Sequence, residues 1–372
     1  MKKILFGLIV SVLAFAVLFL LIEITFKFTL FRHGTVYQQI YEALQQPGNQ
    51  VGYISQPYLN YINRPGYRDS RGNTEINSMG LRYSREVPLQ KDSGTCRILF
   101  LGGSTTFGDV DDTFEMFPAL IEKALPQEPC VMKKFRSIEC LNGGVHGLTS
   151  AELLAHFQYK YQYLQPDIVV LHTGFNDAFM YARINQAPYQ PDYHNSRRVF
   201  RDVLELKPWE RKMLWSRTAV YLLVNLRLRD YLKTSLEDNA FFHYTGQYLW
   251  FPDNPELHRD TTYNAFFQNM KTLTHVAASR GSVVLFVPEV CDTTKMPAHL
   301  RLPLLRGLML HRAMMQQLAV NHYIRCRLLP DSIFTPNLFL EEDGIHVNAQ
   351  GEKLKAHYIA DFIKAIICSD EQ

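Results

Sequence analysis

Four short polar motifs hold the residue types that acyl transfer requires. Ser104 stands in Gly102-Gly103-Ser104-Thr105-Thr106, and Gly147 closes Asn142-Gly143-Gly144-Val145-His146-Gly147. Asn176 lies in Gly174-Phe175-Asn176-Asp177, and His346 ends Asp343-Gly344-Ile345-His346. A serine hydroxyl attacks a carbonyl carbon when a neutral imidazole takes its proton, which casts Ser104 as nucleophile and His346 as general base. Asp343, on the same turn, is within local reach of the imidazole N–H and can fix its tautomer. The oxyanion would meet the backbone N–H groups of Ser104 and Gly147 and the side-chain amide of Asn176. One such donor is typically worth ~3 kcal/mol, about a hundredfold in rate.

Each motif also has an ordinary explanation. Gly103-Ser104 lacks the lysine of a phosphate loop, the glycine spacing of a dinucleotide fingerprint and the second glycine of a GxSxG elbow, but it fits a capped strand-to-helix turn. Asn176-Asp177 fits a helix N-cap pair, Asp343-Gly344 the start of the last helix, and Gly143-Gly144 a plain loop. His146 lines the site or is incidental, and His172, inside a strand pattern, reads as a core residue. What favours chemistry is the order of the four motifs and the elements beside them, an apolar strand run before each of the first three and the last helix after the fourth.

Those elements alternate. Apolar runs predict strands at 97–102, 137–142, 167–173, 282–288 and 324–329, and helical periodicity predicts helices near 113–125, 149–162, 260–280, 303–322 and 348–367. Strand–helix alternation is the pattern of a parallel sheet with crossover helices, whose carboxyl edge gathers residues remote in sequence. Residues 178–258 interrupt the rhythm as an insertion and candidate lid, far longer than the ~4–6 residues usual for such connections. Within it, a basic amphipathic stretch at 208–235 has two readings, a helix capping its own domain or one resting on an anionic membrane surface. Residues 28–95, rich in Tyr, Asn, Gly and Pro, read as a run-in arm packed on the main domain at 96–372.

Composition sets the outer bounds. With 372 residues, 47% hydrophobic and 20% charged, the chain has the makeup of a globular protein, and a net charge of +3 gives no argument for nucleic acid. Twenty tyrosines and 24 phenylalanines suit an apolar cleft. Six cysteines at 96, 130, 140, 291, 326 and 368 form no CxxC or zinc-spaced cluster; Cys96 with Cys130 or Cys140 is a conceivable disulfide, against buried free thiols. Ile4–Ile22 carries no charge and as a helix would reach ~28 Å, the thickness of a bilayer core. No small-x-small cleavage site follows it. Residues 1–27 therefore read as an uncleaved anchor, with Lys2 and Lys3 favouring a cytoplasmic N-terminus and the rest of the chain outside the cytoplasm.

The four motifs in this order resemble the SGNH superfamily of hydrolases, the GDSL-like lipases and esterases, over about 97–177 and 280–367. Ser104, Gly147, Asn176 and the pair Asp343 with His346 occupy the places of that family's blocks. Gly103 stands where the name-giving motif has Asp. Asn77-Ser78-Met79-Gly80-Leu81-Arg82 also looks like the corresponding segment of membrane-anchored bacterial members. The resemblance implies a three-layer α/β/α, flavodoxin-like fold and an esterase that needs no metal or organic cofactor. It leaves an acyltransferase acting on an envelope polysaccharide, or an inactive anchored binding module, as alternative functions. Expected substrates are ester-bearing small molecules, lipids or acylated glycans.

Overall fold

The computed structural model describes residues 2–32, 35, 37, 38, 41, 52–56, 58–68, 73–108, 110, 112–178, 208–226, 264–296, 298–320, 324–340 and 344–369. Five apolar runs form strands: β1 Thr95–Gly102, β2 Ser137–Asn142, β3 Ile168–His172, β4 Val283–Phe286 and β5 Ile324–Cys326. They make one parallel sheet in the order β2-β1-β3-β4-β5. That order is the flavodoxin-like winding, in which the direction of strand addition reverses beside β1 and leaves a crevice at the carboxyl ends. Every residue of β1 and β3 is buried, as expected of strands covered on both faces.

The helices, in chain order, are α1 Lys2–Phe28, α2 Ser104–Phe107, α3 Phe117–Ala124, α4 Pro129–Lys134, α5 Ser150–Tyr159, α6 Pro208–Arg211, α7 Arg217–Leu226, α8 Ala265–Ser279, α9 Ala298–Leu318 and α10 Ala349–Cys368. The helix expected from 113 begins instead at Phe117, after a single 3-10 turn at Thr113–Glu115. Pro118 supplies the reason: it lacks an N–H and belongs in a first turn, where none is needed. One core layer joins Phe100, Ile98 and Cys96 of β1 to Phe117 and Ile121 of α3 and to Ile359 and Ile363 of α10.

The chain divides into two compact units, Met1–Ser55 with Ser196–Thr245, and Gln56–Asn195 with Gly246–Gln372. The second holds the sheet and all four motifs. In the first, α7 lays Val220 and Val224 on an aromatic cluster of Phe26, Phe31, Tyr37 and Tyr41. Most of the candidate lid, 179–207 and 227–258, lies outside the described residues.

The cysteine expectation needs correction. Cys130 of α4 is bonded to Cys368 at the end of α10, while Cys96 and Cys140 are free and buried. Cys96 pairs in register with Ile138, and Cys140 with Ile98. The offset of two residues puts their Cα atoms ~8 Å apart, beyond disulfide reach.

Candidate active site

β1 ends on Gly102, and after Gly103 the chain turns at once into the single turn of α2, whose first residue is Ser104. His346 precedes α10. Its Nε2 lies 2.6 Å from Ser104 Oγ, a hydrogen bond between residues 242 apart in sequence. Gly344, at φ +69°, shapes the turn that delivers the imidazole, and its carbonyl accepts from Asp292 N at 2.7 Å. Asp343 falls outside the described residues.

Asn176 follows β3 and reaches across to the same turn. Its Nδ2 donates to the Leu148 carbonyl at 2.9 Å, which ties the Asn176 segment to the glycine loop ending at Gly147. A Cβ added to Gly103 would sit 2.4 Å from that Nδ2. On this backbone a side chain at 103 would displace the Asn176 amide. Gly144 is constrained in the same way, since a Cβ there would come 2.3 Å from Phe107 N. Gly147 sits at φ +72°, in the left-handed region. The structure therefore brings together Ser104, His346 and Asn176 and leaves Gly147 one residue from the carbonyl that holds Asn176.

Behind the site lies a buried polar network that the motifs did not reveal. The Glu289 carboxylate, just past β4, accepts from Thr105 Oγ1 and from Phe175 N, and so links the residue after Ser104 to the residue before Asn176. Burial pushes its carboxyl above the usual range; those two hydrogen bonds, then the His346 and Lys355 charges, oppose the shift. Lys355 of α10 donates to the Thr105 carbonyl at 3.0 Å and pairs with Glu352 at 2.5 Å, and Glu352 accepts from Phe117 N at 2.8 Å. Burial, then the Lys355 charge, drives His172 down to about 3; its Nδ1 lies 2.8 Å from the Val287 carbonyl, and it is a neutral core residue, as its strand position suggested. Asp177 is buried too, its oxygens accepting from Ser150 N and Oγ at the start of α5, and burial pushes its carboxyl up to about 7. It caps a neighbouring helix.

The segment before β1 braces the site from the other side. Arg82 is buried, donates to the carbonyls of Phe107 and Gly108 at 3.2 and 2.5 Å, and stacks on the Phe107 ring at 4.6 Å. Asn63 Nδ2 donates to Gly144 O at 2.9 Å, and Tyr61 OH to the carbonyl of His146, whose ring packs on Phe107. The signal that could have found Glu289 was present in the sequence: it follows an apolar run, as the first three motifs do. Arg82, Asn63 and Lys355 offered no such signal.

No protein-family model and no curated protein matches the chain. Among solved structures it is similar to a lipase/acylhydrolase from Enterococcus faecalis, with TM-score 0.41 and 15% identity over 73% of this chain and 96% of that one. A GDSL-like lipase from Bacteroides thetaiotaomicron gives TM-score 0.37 and 14% identity over 73% and 88%. An acetylxylan esterase from Geobacillus stearothermophilus gives 0.39 and 12% over 74% and 94%.

Proposed function

We propose that this chain is a serine ester hydrolase of the SGNH type. The observation that supports it most directly is the 2.6 Å contact between Ser104 Oγ and His346 Nε2, two groups with no local reason to meet. In this reading Ser104 attacks the ester carbonyl as its proton passes to His346, with Asp343 orienting the imidazole. The tetrahedral oxyanion is met by the Ser104 and Gly147 N–H groups and by Asn176 Nδ2. Collapse expels the alcohol, which takes the proton from His346 and leaves Ser104 acylated. Water, deprotonated by the same imidazole, then releases the acid and restores the hydroxyl. The substrate is an ester-bearing small molecule, lipid or acylated glycan.

The same proposal puts the catalytic part outside the cytoplasm, on α1 as a retained anchor. Among the described residues, Lys3–Phe28 is the one helix long and apolar enough to cross a membrane, with mean hydropathy 3.1. Phe26 and Glu23 of its last turns are built into the first unit, which a cleaved leader would not be. The Cys130–Cys368 bond suits an oxidising compartment.

Ser104→Ala tests the chemistry. It should lower turnover of short acyl p-nitrophenyl esters by about a thousandfold or more and abolish labelling by a fluorophosphonate probe. Undiminished turnover in that variant would remove the mechanism.

A further inference from the structure

The contacts of the first unit fix the depth of a segment that the anchor reading leaves unused. Glu23, one turn past Phe19 on α1, accepts from Ser216 Oγ and, at 2.9 Å each, from Arg217 N and Thr218 N, so a carboxylate of α1 holds the amino end of α7. Leu214, Val220 and Val224 close the other side of this junction on Phe26 and Phe31. Trp215, just ahead of α7, meets Phe19 with ring centroids 5.9 Å apart. Phe19 is three residues inside the end of the uncharged run at Ile22, ~4.5 Å along the helix axis. A membrane that holds Ile4–Ile22 therefore also reaches the level of Trp215.

What this segment presents at that level is apolar. Trp215 is 70% exposed and Trp209 55%. Leu222 and Leu226, on the face of α7 opposite Val220 and Val224, are 48% and 82% exposed. Lys212 is exposed nearby, and Lys27 of α1 follows Glu23 by one turn. Tryptophan at the boundary, leucines on the open face and cations at headgroup level are what a helix lying in the interface of an anionic bilayer requires.

We propose that Trp209–Leu226 is a second membrane-contacting element, with the helix α7 and the turn ahead of it lying in the interface beside α1 and Trp215, Leu222 and Leu226 in the acyl–headgroup boundary. The proposal rests on α1 being a retained span, and it chooses the membrane-surface reading of the 208–235 stretch over that of a helix capping its own domain. Its partner is a phospholipid surface.

The test uses the full chain in phosphatidylcholine–phosphatidylglycerol vesicles, with and without brominated acyl chains, which quench tryptophan on contact. W209F/W250F leaves Trp215 as sole reporter; F15W in a W209F/W215F/W250F background reports on α1. Circular dichroism melts establish that both variants fold, and the phenylalanine at 215 keeps a ring against Phe19. Both reporters are expected to lose emission in brominated vesicles, Trp215 more with bromines near the headgroups than near the chain ends. If position 15 is quenched and Trp215 is not, the anchor stands and the interfacial helix is overturned. If neither is quenched, both fall. A Trp215 shielded from lipid and from aqueous iodide alike would mean that protein, whether the rest of the chain or a second copy, covers the face, and would also overturn the proposal.

Discussion

Asn176 uses one amide group for two purposes. Its Nδ2 holds the glycine loop through Leu148 O, and it lies against the turn that carries Ser104. An alanine there removes the proposed oxyanion donor and one tie between two loops, but no core packing. Asn176→Ala is expected to lower kcat about a hundredfold, ~3 kcal/mol, with KM little changed, in steady-state hydrolysis of a soluble ester. A change in KM alone would instead make Asn176 a substrate-binding group. Gly103 belongs to the same argument, since the amide's position leaves no room for a side chain at 103.

Between elements, the bonds that matter run beneath the surface of the site. Glu289 joins α2 to the Asn176 segment by accepting two hydrogen bonds, one from a hydroxyl and one from a backbone N–H. A glutamine can accept only with one of its two ends, so Glu289→Gln should lower kcat about tenfold or more through misplacement, at a cost of roughly one charged hydrogen bond in stability. Glu289→Asp, which keeps both acceptors, should recover part of the rate. Asp177 allows a cleaner experiment. Its folded value of about 7 lies above the ordinary carboxylate range, so between the two the folded state holds a proton that the unfolded state has lost. Its contribution to stability is complete at low pH and is lost as pH rises toward and through 7, with a slope of at most about 1.4 kcal/mol per pH unit. Denaturant midpoints of Asp177→Asn across that window should show a shallower fall than those of the wild type. The strands and the first three motifs were legible because an apolar run followed by polar residues is a local pattern, and the fourth because it stands directly ahead of the last helix. The bracing by Arg82, Asn63 and Lys355 was not: each is a polar residue whose partner lies far off in sequence, and Lys355 with Glu352 has the same spacing as an exposed ion pair on any helix. The disulfide was missed for the same reason, its partners being 238 residues apart.

At the scale of the molecule, that disulfide and the closing helix work together. α10 supplies Lys355 to the back of α2, is preceded by His346, and is bolted at its far end to α4. A link that closes so long a loop restricts the unfolded chain strongly; the chain-entropy model gives about 5 kcal/mol, and measured values usually fall at ~2–4. C130S/C368S is therefore expected to lower stability by about 2–5 kcal/mol in urea titration, and a reducing agent should do the same to the wild type but nothing further to the variant. Because α10 also positions the imidazole and Thr105, activity should be lost at lower urea than the sheet's own unfolding in both cases.

The separation of Ser104 from His346 also affects how the protein is made. At a synthesis rate of roughly 5–20 residues per second, about 12–50 s pass between the emergence of the hydroxyl and that of the imidazole. In the proposed mechanism, the growing polypeptide throughout that interval has its serine but not the base that would activate it. On the proposed function, the ester-cleaving site is assembled only once nearly the whole of the fold has been delivered.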